Sequence, residues 1–166
     1  MSKPVSPTVF SPALSQEFNA QVYLKPEIFS PTGSYKDRIG AAAVAEALQA
    51  GARKVGVTSS GNQGLAIARA AQAAGIPCLV LAVRDILPAY QAELQRFGAS
   101  LELVPDMKTR SVRLHEREAE GWFPLSVVPE DRGKRVQPGK SGYAAIAREI
   151  VEALGAAPDF LILPVC

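Results

Sequence analysis

VGVTSSGNQGLAIARAAQAAGIPCLVLAV, residues 55–83, is the stretch that decides the fold. Val55–Thr58 is a short apolar run, and Leu79–Val83 is another. Between them Leu65–Ala74 is rich in helix formers, and Gly75 stands where such a helix needs a left-handed stop. The stretch therefore reads as strand, turn, helix, glycine, strand. Both strands are apolar throughout rather than alternating, which is the pattern of a parallel sheet covered on both faces.

The same cadence continues outward in both directions. Gly51, Gly75, Gly98 and Gly121 recur about every 23 residues, each behind a helix-like stretch and ahead of an apolar run. Helices are predicted over Ala41–Ala50, Leu65–Ala74, Pro88–Phe97, Lys108–Glu120 and Tyr143–Leu154. Strands are predicted over Val55–Thr58, Leu79–Val83, Leu101–Val104, Leu125–Val128 and Phe160–Val165. The fold class is α/β, a parallel sheet with helices on both faces. Pro129–Lys140, dense in Pro, Gly and charge, reads as a mobile loop. The final run reads as a fully buried strand, so covering elements of the same fold are expected beyond Cys166.

Composition excludes several classes. Among 166 residues, 18 basic and 16 acidic side chains leave a net charge of +2 with both signs interspersed, which gives no basis for binding nucleic acid or an anionic membrane. No apolar run approaches the length of a membrane span, and no secretory leader is visible. A cytoplasmic location is expected. Two cysteines make no disulfide framework, no Cys/His spacing suggests a metal, and Cys78 reads as a core residue. The one histidine, His115, sits in a charged helix and reads as a surface residue, which removes the usual base of a hydrolase triad.

Two segments carry chemistry. In Pro31-Thr-Gly-Ser-Tyr-Lys36, a tight turn leads into a helix whose start Ser34 can cap, with Lys36 in the first turn. The positive end of the helix dipole is expected to depress the ammonium pKa there, favouring the neutral amine that imine chemistry requires. An ordinary surface lysine is the alternative. In Ser59-Ser-Gly-Asn-Gln-Gly64, small hydroxyl and Gly residues join a strand to a helix and can present backbone N–H groups to a carboxylate or phosphate. A turn that merely caps the helix is the alternative there. Gly133–Ser141 mimics a phosphate-binding P-loop but has one residue too many between its glycines.

Together these motifs resemble the fold-type II pyridoxal-phosphate enzymes, the group of threonine synthase, the threonine/serine dehydratases and cysteine synthase. Tyr23-Leu-Lys-Pro-Glu27, Pro31–Arg38, Ser59–Gly64, Gly139-Lys140 and Pro158–Val165 carry the resemblance. It implies the tryptophan synthase β-like fold, with residues 50–140 as the small domain and 1–49 and 141–166 as parts of a larger one. It further implies that Lys36 binds pyridoxal 5'-phosphate covalently and acts as base, with Tyr35 beside the ring and Asn62 on the ring hydroxyl. Ser59, Ser60, Gly61, Asn62 and Gln63 would grip the substrate carboxylate, and Ser60 would face the α-carbon opposite the lysine. The implied activity is β/γ-elimination or replacement on an amino acid, threonine synthase- or dehydratase-like. It would be completed by a C-terminal half or companion chain and carried in a homo-oligomer. The competing reading is a non-catalytic binding or assembly module that retains the motifs.

Overall fold

The computed structural model describes residues 6–127 and 137–163. An antiparallel ribbon of β1 (Val9–Phe10) and β2 (Tyr23–Leu24) brackets helix α1 (Pro12–Phe18). A 3-10 turn at Glu27–Phe29 leads to α2 (Lys36–Gln49). Then come β3 (Val55–Thr58), α3 (Asn62–Ala74), β4 (Cys78–Val83), α4 (Pro88–Arg96), β5 (Ser100–Val104), α5 (Met107–Ala119), β6 (Phe123–Pro124) and α6 (Ser141–Leu154). The second sheet runs β5-β4-β3-β6 with every pair parallel.

Burial on both sides explains the unbroken apolar strands. Cys78, Val80 and Ala82 face the larger core with Leu65, Ile67, Ala68 and Ala71 of α3. Leu79 and Leu81 point the other way, onto Leu114 of α5 and Trp122. Each large side chain taken wholly out of water contributes about 1.5–3 kcal/mol. Cys78 is core, and burial pushes its thiol up to about 12. Outside this sandwich α2 packs along α3, and α6 packs along α2. The four rhythm glycines all adopt positive φ, from 69° to 90°, as helix stops require.

Two predicted strands are corrected. Residues 125–128 were expected as a strand, but the ladder runs through Phe123–Pro124, in register with Val55 and Gly56. Pro124 has no N–H to donate, and beyond Leu125 the hydroxyl of Ser126 replaces a ladder partner by accepting from the Thr58 N–H at 3.0 Å. Gln137 then serves as a surrogate strand, donating to the Leu125 carbonyl at 2.9 Å and accepting from the Val127 N–H at 3.3 Å. Phe160–Val165 was the other expectation. Phe160–Leu163 form no strand and lie exposed, Ile162 at 94%, because no strand among the described residues pairs with them. Residues 164–166 fall outside the described residues, as do most of the Pro129–Lys140 loop and the first four residues of the P-loop mimic.

The outer segments are apolar on the surface as well. Phe10, Phe18, Leu24, Ile28 and Phe29 are all exposed. Among the described residues, no helix is long and apolar enough to cross a membrane.

Candidate active site

The start of α2 is built by its own turn. Gly33, at φ 74°, donates its N–H to the Ser30 carbonyl at 2.7 Å. The carboxylate of Asp37, in the first turn of α2, reaches back to accept from the Thr32 N–H and hydroxyl at 2.7 and 2.9 Å. Ser34 Oγ accepts from the Lys36 N–H at 3.2 Å from within the turn, while the N-cap position itself falls to Tyr35 rather than to Ser34. Lys36 is thereby fixed as the first residue of the helix.

Close backbone contacts then gather three helix starts. A Cβ on Gly40 would lie 2.7 Å from the Ala66 carbonyl, so α2 and α3 touch backbone to backbone. A Cβ on Gly142 would overlap the Arg38 carbonyl, so the start of α6 rests on the first turn of α2. Lys36 precedes Gly40 by four residues and Asn62 precedes Ala66 by four, so each is about 6 Å along its axis from the crossing. Glu46 of α2 secures the approach to α6, accepting from the Gly139 N–H at 2.7 Å and the Ser141 hydroxyl at 2.9 Å.

The Lys36 amine donates to Tyr143 Oη at 3.1 Å. It lies 4.8 Å from the centre of the Tyr35 ring and 5.7 Å from that of Tyr143, and the two rings are 5.6 Å apart. This overturns the expected depression of its pKa. Burial does pull the ammonium down, but the hydroxyls of Tyr143 and then Tyr35 outweigh it, and the net shift is upward. Tyr143 was missed in the sequence. The small residues ahead of it, Gly139 and Gly142, were its only signal.

The Ser59–Gly64 loop leaves the carboxyl end of β3 and enters α3. Ser59 is buried, and its Oγ braces the turn by accepting from the Gly64 and Gly61 N–H groups at 2.9 and 3.2 Å. Ser60 Oγ accepts from the Val83 N–H at 3.3 Å, tying the loop to the end of β4. Asn62 is exposed, and its Oδ1 accepts from Tyr90 Oη at 2.9 Å. Gly61 is extended, at φ −157°, and a Cβ there would meet nothing within 4 Å. It therefore marks open space rather than a left-handed turn. Gln63 is half-buried on the first turn of α3. The structure thus brings Lys36, Tyr35 and Tyr143 into contact, while in the Ser59–Gly64 loop Ser59 braces the turn, Ser60 ties it to β4 and Asn62 meets Tyr90. The crossing of α2 and α3 joins the two regions.

Behind Lys36 lies a buried charge cluster that the sequence did not disclose. Arg38, whose side chain is 3% exposed, donates to both carboxylate oxygens of Glu27 and both of Glu149 at 2.7–2.9 Å. Lys25 pairs with Glu149 at 2.8 Å and donates to the Ser6 carbonyl at 2.7 Å. The Arg38 hydrogen bonds, joined by Lys25, outweigh burial and hold the Glu149 carboxyl at about 2. Burial raises Glu27, but Arg38, Ser6 and Lys25 more than reverse it, so it too is lowered. Arg38 is raised, first by Glu149. The cluster fastens the amino-terminal segment and α6 onto α2.

Comparison with known proteins agrees with this architecture. Residues 3–166 match the family model described as pyridoxal-phosphate dependent enzyme. A threonine synthase of Mycobacterium leprae is 33% identical over 161 residues, covering 96% of this chain and 44% of that protein. The L-serine dehydratase/L-threonine deaminase of Mus musculus is also 33% identical, over 93% of this chain and 46% of its own length. The chain thus spans less than half the length of these relatives. Among solved structures, maize serine racemase superposes with a TM-score of 0.79 at 19% identity, over 90% of this chain and 45% of that one. An O-ureido-L-serine synthase superposes at 0.75 with 26% identity, over 93% of this chain and 50% of that one. A parallel sheet, a lysine at a helix start, an asparagine loop at the next helix start and a family match over nearly the whole chain lead to one assignment: the chain belongs to the pyridoxal-phosphate dependent enzymes of fold type II.

Proposed function

We propose that this chain carries pyridoxal 5'-phosphate on the Lys36 amine and supplies half of an active site for β/γ-elimination or replacement on an amino acid, of the threonine synthase or dehydratase kind. The observation that carries the reading is the backbone contact of Gly40 with Ala66, which packs the helix that begins at Lys36 against the helix that begins at Asn62. The donor set fits the cofactor ring: an amine for the aldehyde carbon, an amide for the ring hydroxyl, an aromatic ring at Tyr35 for its face. The open space at Gly61 leaves room beside them. When bound, the cofactor supplies an electron sink that stabilises negative charge at the substrate α-carbon.

This chain's own residues have separate tasks. With its Oδ1 taken by Tyr90, the Asn62 amide has its N–H groups left to donate toward the ring oxygen. Ser59 fixes the turn, holding the Gly61 and Gly64 N–H groups itself, so that the N–H groups of Ser60, Asn62 and Gln63 and the positive end of α3 are left for a carboxylate. Ser60 is the candidate proton carrier on the side of the substrate away from Lys36. Lys36, once its amine is free, takes the α-proton as general base. The cofactor phosphate and the substrate side chain would be met by residues beyond these. The exposed apolar surface of the outer segments and the span of under half of the relatives support a further region, or a companion chain, packing there. A homo-oligomer in the cytoplasm is part of the same proposal.

Borohydride reduction of the cofactor-loaded full protein, followed by peptide mapping, tests the central assignment. The pyridoxyl group is expected on Lys36. Finding it on Lys25 or Lys140, or on no lysine, would overturn it.

A further inference from the structure

We infer that Tyr143 is the resting partner of the Lys36 amine: it holds the amine as an ammonium beside the Tyr35 ring before the cofactor arrives. The inference rests on the reading of Lys36 as the cofactor lysine. Its own support is geometric.

Three observations place the contact by design of the backbone rather than by the reach of a flexible side chain. The hydrogen bond from Lys36 to Tyr143 Oη, at 3.1 Å, joins residues 107 apart in sequence. Gly142, immediately before Tyr143, sits where any side chain would overlap the Arg38 carbonyl, so α6 is seated against the turn of α2 that carries Lys36. The Glu46 hydrogen bonds to Gly139 and Ser141 fix the same approach from the other side. The amine then lies at the hydroxyl end of Tyr143 and over the face of Tyr35, which attracts a cation.

The charges nearby leave the two phenols as the governing groups. On α2 the Asp37 carboxylate is taken by Thr32, and Arg38 is taken by Glu27 and Glu149. The first turn of α3, Asn62–Leu65, is uncharged. From α6 the facing group is Tyr143 itself. A hydroxyl oxygen accepting from an ammonium favours the charged form, as does the Tyr35 ring face, while burial opposes it. Tyr143 is thus a positioning residue. It keeps the lysine aimed and unreactive toward stray electrophiles, and an arriving aldehyde must displace it.

Competition labelling of Lys36 with acetic anhydride, on the cofactor-free full protein across a pH series, reads the amine directly and needs no turnover. Tyr143→Phe keeps the ring and removes the acceptor. It is expected to raise Lys36 labelling at neutral pH about ten-fold, the low end of what a hydrogen bond to a charged group is worth. It should also move the labelling profile to lower pH. Tyr143→Gln restores an acceptor oxygen without the ring and should return the profile most of the way. If Tyr143→Phe fails to fold, the unsubstituted protein still decides: Lys36 must label more slowly than the exposed Lys140 at neutral pH. Equal labelling of Lys36 in the parent and Tyr143→Phe proteins, or labelling of parent Lys36 as fast as Lys140, would overturn the inference. Failure of the underlying reading looks different. Borohydride would then place no pyridoxyl on Lys36 in any variant, while the acetylation shift in Tyr143→Phe persisted.

Discussion

Among its described residues the molecule holds two clusters of arginine and glutamate that look alike on paper and differ in what they join. The first, around Arg38, links Glu27, Lys25, Ser6 and Glu149, contacts that span 11 and 111 residues of chain, with side chains 3–17% exposed. The second, around Glu102, links β5 to Arg113 and Arg117 on α5, which follows β5 directly. Its side chains are 22–33% exposed, and the outer contacts to Glu116 and Glu120 are helix pairs three residues apart. The sheet and its two faces would hold α5 in place without the second cluster. By contrast, the amino-terminal segment has little buried apolar surface of its own, since β1, α1 and β2 contain no buried residue. There the charges are the fastening.

The largest effect should come from Arg38→Met. Removing the cation leaves Glu27 and Glu149 facing each other with only Lys25 between them. Breaking a buried pair in this way costs about 3–5 kcal/mol. Urea unfolding should report that loss, and cofactor loading should fall with it, because α6 carries both Glu149 and Tyr143. A loss no larger than that of an exposed ion pair would remove the distinction between the two clusters.

Acid should expose the same asymmetry. Glu149 has a folded value of about 2 against an ordinary 4.5, and Glu27 is lowered as well. A depressed carboxyl contributes stability that is present above its unfolded value and is lost as pH falls toward the folded one. For Glu149 that window runs from about 4.5 down to about 2, and it is worth on the order of 3 kcal/mol. Stability measured against pH should fall through this range, and Glu149→Gln should flatten the fall. An unchanged acid profile in Glu149→Gln would mean that the cluster does not fasten the segment.

The contrast also separates what the sequence could disclose from what it could not. The α/β cadence was legible because every signal for it was local: a glycine stop behind each helix and apolar strands of four to six residues. Lys36 and the Ser59–Gly64 loop were legible through short motifs at helix starts. The failures all turn on distant partners. The sixth strand was misplaced because its pairing is ended by Ser126 acting on Thr58, 68 residues away, and by Gln137. The amine pKa was given the wrong sign because the helix dipole is visible in a sequence, whereas Tyr143, 107 residues on, is not. Arg38 sat in a quoted motif, yet nothing in that motif names Glu149 as its partner.

The smallest effect is expected from Glu102→Gln, and it sharpens the comparison most because the chemistry of the change is the same as in Glu149→Gln. Burial raises the Glu102 carboxyl, but hydrogen bonds from Arg113 and Arg117 reverse that, so its pKa is also lowered and its pH dependence has the same sign. The two sites part in consequence. With the Glu102 charge removed, Arg113 still meets Glu116 and Arg117 still meets Glu120, and both guanidinium groups reach water. No buried charge is stranded. The pairing of β5 with β4 through Ser100–Val104 and the α5 cap, in which Asp106 accepts from the Thr109 N–H at 2.7 Å, stay intact. Glu102→Gln should therefore lower the urea midpoint less than Glu149→Gln, and the difference should widen in high salt, which screens the exposed cluster and spares the buried one. Equal losses for the two variants at low and high salt would show that exposure does not separate the clusters, and that the amino-terminal segment is held by something other than Arg38.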